Sequence, residues 1–239
     1  MKPMIATLLL CLGTIVVQAD ETARHATVRD ATVREDTARH ATLRDDTVAD
    51  QELRGELLRR TKLDQDARAA IVKWNSQHGA NDPANAETQT TEEQAEFEKL
   101  MAAVTKADNE NTRWLEQVVE ERGWPSKRLV GKDGANAAWL LVQHADAEPK
   151  FQRTCLDLMV TLPREEVSQQ NIAYLTDRVL LAEGKKQLYG TQFTREKGEL
   201  QPRPIEDAAH VDQRRAEAGL PPLAEYAAEL AKLYGGAAK

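Results

Sequence analysis

Ala138-Trp139-Leu140-Leu141-Val142-Gln143-His144-Ala145-Asp146 is followed by Ala173-Tyr174-Leu175-Thr176-Asp177-Arg178-Val179 and then by Gln187-Leu188-Tyr189-Gly190-Thr191-Gln192. The first two stretches are apolar at helical spacing on more than one side, the pattern of helices packed among other helices. The third carries Tyr and Thr around Gly190 and reads as an extended loop or short strand. Together they set the fold class as mainly α: a single multi-helix domain with a short extended segment near 187–193. Each apolar stretch also carries ionisable groups, His144 on one and Asp177 with Arg178 on the other. Buried polar groups are costly unless paired, so these stretches hold either a site or a structural network.

The neighbouring sequence extends the helical reading in both directions. Downstream of His144, Pro149 suits the first turn of a helix over 149–162, with Phe151, Cys155, Leu158 and Met159 facing the core. Ser168 caps the next helix and Gly184 ends it. Upstream, a helix over 92–122 has an apolar seam of Phe97, Leu100, Met101, Val104, Leu115, Val118 and Val119. Asp108 and Asn111 fall in that seam, marking either a wet break or polar groups facing a cleft. Thr91 with Gln94 fits a capping box. An earlier helix over 51–74 is separated from this one by a polar loop at 75–90 containing Gly79 and Pro83. The segment 130–134 reads as a tight loop before a helix over 135–145. Asp207 opens a short helix to 217, Pro221-Pro222 starts a last helix to 234, and 235–239 is a frayed tail. The domain is therefore assigned to 51–234.

Residues 1–19 have the layout of a secretory signal peptide: Lys2, an apolar run over 4–17, and Val17-Gln18-Ala19 as a cleavage site. The run is too short to favour a membrane span. The mature chain is then exported, to the periplasm or the exterior, with no membrane span. Its only remaining thiol is Cys155, which rules out an internal disulfide. Between the signal and the domain, 20–50 contains pentads that open with Thr22, Thr27, Thr32, Thr37, Thr42 and Thr47. The period is similar to that of pentapeptide-repeat proteins. The inward positions are small and the coils too few for a core, so the segment reads as a charged spacer. The formal charge is −7, and losing Lys2 makes the chain more acidic, which excludes nucleic acid as an expected partner.

No strong catalytic motif is present: no phosphate-cradling Gly-rich loop, nucleophile elbow, HExxH or paired CxxC. His144-x-Asp146 and His210-x-Asp212 look like ligand pairs, but side chains two apart on a helix face different ways. No metal and no cofactor is assigned. Three readings remain. The leading one is recognition of a small polar ligand or peptide in a polar cleft built from Asp108, Asn111, Gln143, Gln152, Arg178, Gln187, Tyr189 and Gln192. The second is a hydrolase-type enzyme with His144 as general base or acid, served by Asp146 or Asp177. The third is a purely structural polar network.

The chain also resembles an uncharacterised, mainly bacterial family of helical proteins known as a domain of unknown function. The resemblance rests on Gly123-Trp124-Pro125, Val130-Gly131, Ala137-Ala138-Trp139-Leu140, Gln143-His144-Ala145-Asp146, Phe151-Gln152, Ala173 to Val179, Gly184, and Gln187 with Tyr189-Gly190-Thr191-Gln192. It continues through Pro204-Ile205, Arg214-Arg215, Gly219-Leu220 and Pro222-Leu223 to Tyr226, and Asp108 and Asn111 also match. It implies a common helical fold over 108–226 and carries no activity.

Overall fold

The computed structural model describes residues 48–78, 90–196 and 199–234. The expectations for the signal peptide, for nearly all of the spacer and for the 235–239 tail lie outside the described residues. The described chain is mainly helical, with one small sheet.

Helices α1 (Gln51–His78) and α2 (Thr91–Arg122) form an antiparallel hairpin. At one end Trp74 packs on Phe97, and at the other Asp50 pairs with Arg122. Asp50 also starts α1 by accepting from the Leu53 amide at 2.8 Å, as an N-cap does. The capping box of α2 falls one residue earlier than the sequence suggested. Thr90 accepts from the Glu93 amide and the Glu93 carboxylate returns the bond, because a carboxylate meets that orphan amide better than the Gln94 side chain would.

Helix α3 (Lys127–Gln143) runs beside α1 in the same direction, with Arg54 against Asp133, Thr61 against the Ala137 carbonyl and Asp64 against His144. The tight loop expected at 130–134 is instead one non-helical residue, Gly131 at φ 74°, inside α3. Ser126 caps a first turn through the Leu129 amide, and Gly131 then redirects the chain before the helix resumes. The helix ends at Gln143, two residues short of the expected end, and His144 becomes its C-cap.

Helices α4 (Pro149–Thr161) and α5 (Gln169–Ala182) pack together on the other side of α3. Pro149 and Ser168 start them as the sequence indicates. Trp139 is buried between α3 and α5, donating its N–H to the Asn171 carbonyl at 3.0 Å and meeting Tyr174 edge-on. Cys155 is fully buried, and burial pushes its thiol far above the ordinary range, so it is an inert packing residue.

The extended segment expected at 187–193 contributes one bridge, Gln187 to Ile205. The sheet lies just beyond, as a hairpin of β1 (Phe193–Glu196) and β2 (Glu199–Pro202). Asp207 adopts φ 47° and makes no cap bond. Its carboxylate pairs with His210, and a 3₁₀ turn (Ala208–His210) leads into α6 (Val211–Glu217). Helix α7 (Leu223–Tyr234) closes the described chain.

The turn around Gly190 is held from both sides. Asp177 of α5 is fully buried and accepts from the amides of Leu188, Tyr189 and Thr191 at 2.7, 3.0 and 2.8 Å and from the Thr191 hydroxyl at 2.9 Å. Arg215 of α6, also fully buried, donates to the carbonyls of Tyr189 and Pro221, both at 2.6 Å, and lies over the Tyr226 ring. Gln187 closes the turn by accepting from the Gln192 amide at 2.9 Å and donating to the Gln192 and Arg203 carbonyls. Gly190 sits at φ 67°, where a Cβ would come within 2.9 Å of Ile205 and Leu223.

An acceptor facing only donors cannot be exchanged for an amide. Asp177→Asn is expected to cost about 3 kcal/mol, the scale of charged hydrogen bonds lost in a buried place. Gly190→Ala is expected to cost at least about 1 kcal/mol in backbone strain. Urea unfolding measures both, and native-like stability of Asp177→Asn would contradict the clasp.

Candidate functional site

Two acidic, one cationic and one imidazole side chain meet where α1, α2 and the end of α3 touch. Helix α1 supplies Asp64 and Arg68, one turn apart and therefore on one face. Both lie on the stripe that carries Leu53, Leu57 and Ile71 into the core. Helix α2 supplies Asp108 from its apolar seam, and the C-cap of α3 supplies His144. Asp64 and Arg68 are buried and His144 is only 5% exposed. Asp108, with 19% of its side chain exposed, is the side of the cluster nearest solvent.

The contacts order the group. His144 Nδ1 lies 3.0 Å from Asp64 Oδ1 and 3.1 Å from Arg68 Nε. One ring nitrogen offers either a proton or a lone pair, so it cannot satisfy both neighbours. An ionised Asp64 can only accept, which places the proton on Nδ1 and directs it to Asp64. Arg68 then pairs with Asp64 Oδ1 at 3.4 Å and donates through Nη2 to Asp108 Oδ1 at 2.6 Å. Asp64 Oδ2 accepts from the Gln65 amide at 2.7 Å. Nε2 of His144 has no hydrogen-bond partner among the described residues.

Electrostatics separates the two carboxylates. Burial pulls Asp64 upward, but its bond to His144 and the charges of His144 and Arg68 outweigh that and hold it below the ordinary range. Burial dominates at Asp108 and, with the charge of Asp64, overcomes Arg68 to push its pKa up to about 7. Burial also lowers His144, against the pull of Asp64. Two carboxylates in one cluster with pKa values driven apart are the usual arrangement of an acid and a base, and such perturbed groups gather at functional sites.

Asp64, Asp108 and His144 also bring ligand atoms within 4.8 Å of one another, a spacing that suits a divalent cation. Among these atoms, however, lies the Arg68 guanidinium, close to all three. It is the cation of this cluster, and a metal would have to displace it.

The remaining candidates do not join this cluster. Arg178 donates to Gln143 Oε1 at 3.2 Å and to Asp146 Oδ1 at 2.6 Å. Gln152 donates to Asp146 and to the Val142 carbonyl. These four tie α3, α4 and α5 together. Asn111 accepts from Arg60, which lies 4.4 Å over the Trp114 ring. Asp177, Gln187, Tyr189 and Gln192 belong to the Gly190 clasp. The eight residues expected to form one polar cleft therefore divide among separate networks, and Gln152 and Gln187 serve backbone groups. His144 is oriented by neither Asp146 nor Asp177: the first turns to Arg178, and the second is spent on loop amides. Two surface grooves, one on the outer face of α2 by Lys106 and Asn109 and one beside Trp114, lie elsewhere.

The sequence reading missed Asp64 and Arg68. The signal was available: in α1 they occupy apolar-stripe positions, seven and eleven residues after Leu57, just as Asp108 does in α2.

The model of a family of unknown function (DUF6624) matches residues 51–239. The chain belongs to this family. The match begins at the first residue of α1 and so includes Asp64 and Arg68 along with Asp108 and His144. No curated protein and no solved structure matches the chain. Membership in DUF6624 carries no activity, so any function must be argued from the site.

Removing Arg68 leaves Asp108 without its cationic partner and the buried Asp64 with only His144 and the Gln65 side chain. Arg68→Met is expected to cost about 3–5 kcal/mol, the scale for breaking one side of a buried ionic cluster. Manganese or zinc is expected to leave the melting temperature of the unaltered chain unchanged. A clear rise on adding either ion would show that a metal displaces the guanidinium.

Proposed function

We propose that this domain is a hydrolase-type enzyme whose acid–base centre is His144 oriented by Asp64, with Asp108 and Arg68 completing it. The observation that carries the reading is the partner set. These four side chains, from three helices, bond to one another instead of completing backbone hydrogen bonds. Asp177, Gln187 and Arg215, by contrast, have plain structural work. In the proposed chemistry Nε2 of His144 takes a proton from water as that water attacks. Asp64 stabilises the imidazolium that forms. Asp108, titrating near neutrality, supplies a proton to the leaving group, and Arg68 stabilises developing negative charge. The acidic balance of the chain argues against a polyanionic substrate.

A structural reading of the same cluster is favoured by one observation, the 5% exposure of His144. An ionic junction between helices needs no access, whereas catalysis requires α2 to admit substrate past Asp108. We also propose that the protein works outside the cytoplasm. Residues 1–19 support this through their signal-like layout. No helix among the described residues is long and apolar enough to cross a membrane.

The test is a panel of fluorogenic ester, amide, glycoside and phosphoester substrates at pH 5–9, run on the purified chain and on His144→Gln. The expected outcome is turnover in one class that falls by about 10²-fold or more in His144→Gln while circular dichroism stays native. Turnover equal in the variant, or none across the panel, contradicts the enzyme reading and leaves the ionic junction as the role of the cluster.

A further inference from the structure

We propose that the Asp64–Arg68–Asp108–His144 cluster is a proton-operated lock that holds the α1–α2 hairpin to the end of α3 when it carries one proton and weakens when that proton leaves. Asp64 and Arg68 neutralise each other at 3.4 Å. Asp108 brings a second negative charge, and Arg68 cannot fully compensate two carboxylates. The cluster reaches neutrality only with one further proton, on Asp108 or on His144. In a buried place an uncompensated charge is expensive, so that proton belongs to the folded state.

Four helices present charged or titratable groups to the cluster. Helix α1 contributes Asp64, Arg68 and the neutral Gln65 amide, α2 contributes Asp108, and α3 contributes His144. Helix α5 adds the charge of Arg178, which disfavours a second proton on His144. The two shifts run in opposite directions, and both favour a single proton. Asp108 is raised to about 7, so the folded state binds a proton there that the unfolded chain has already lost. Stability from this source is full at low pH and is lost as pH rises from the ordinary carboxyl value through about 7. His144 is lowered, so its contribution is full above the ordinary histidine value and is lost as pH falls below it. The cluster is therefore most stable with one proton, neither zero nor two.

This lock is independent of catalysis, since a protein that turns over nothing could still carry it. The test is urea unfolding of the intact chain across pH 5–9, beside Asp108→Asn. Relative to that variant, the folding constant of the unaltered chain is expected to fall as pH rises from 5 towards 7, by nearly tenfold per pH unit, and to level off above about 7. Parallel pH profiles for the two proteins would overturn the proposal. Should Asp108→Asn fail to fold, carbon-detected NMR of the Asp108 carboxyl in the unaltered chain decides. A midpoint near 7 supports the lock, and an ordinary carboxyl midpoint near 4 overturns it.

Discussion

Arg68 lies between two carboxylates and an imidazole with almost none of its side chain in water. A guanidinium in that position must be compensated, and the means of compensation constrain much of the molecule. Asp64 must sit one turn earlier on α1, Asp108 must come from the facing helix, and α3 must end where His144 can meet both. The kink at Gly131 and the capping of α3 at His144 serve that placement. The hairpin, the parallel run of α3 along α1 and the position of the cluster are thus one arrangement.

The second half of the domain answers a different need. The turn around Gly190 carries amides and carbonyls away from any regular ladder, and buried backbone groups must find partners. Asp177 takes the Leu188, Tyr189 and Thr191 amides and Arg215 the Tyr189 carbonyl, so two buried charges of opposite sign hold the two sides of the same turn. The motif residues of this domain therefore fall into three kinds. One kind replaces missing backbone hydrogen bonds. A second joins helices side chain to side chain, as Arg178 does with Gln143 and Asp146. The third, around Arg68, bonds almost wholly within its own cluster, and a chemical role can be sought there.

Much of the fold was legible in the sequence because helices announce themselves through spacing and caps. Pro149, Ser168 and Gly184 marked helix ends that the structure keeps. The loop expected at 130–134 failed because Gly131 and Gly134 suggested a break, whereas a single glycine can bend a helix without ending it. The hairpin of β1 and β2 was not read, since four-residue strands leave little periodicity. At the site, His144 and Asp108 stood out as polar groups among apolar ones. Their partners did not, because Asp64 and Arg68 lie in a charged helix where an acid and a base one turn apart look like a surface pair. Asp146 and Asp177 were nearer His144 in sequence, and proximity along the chain outweighed the packing that only three dimensions supply.

The central claim is that Asp64 fixes the proton of His144 on Nδ1 and leaves Nε2 basic. Nitrogen-15 NMR of the His144 ring at neutral pH measures this directly. The account predicts the tautomer protonated at Nδ1, with Nε2 showing the shift of an unprotonated nitrogen, and loss of that preference in Asp64→Asn. A ring protonated at Nε2 with Nδ1 bare would mean that Nδ1 accepts from Arg68 instead, and would contradict both the acid–base centre and its orientation.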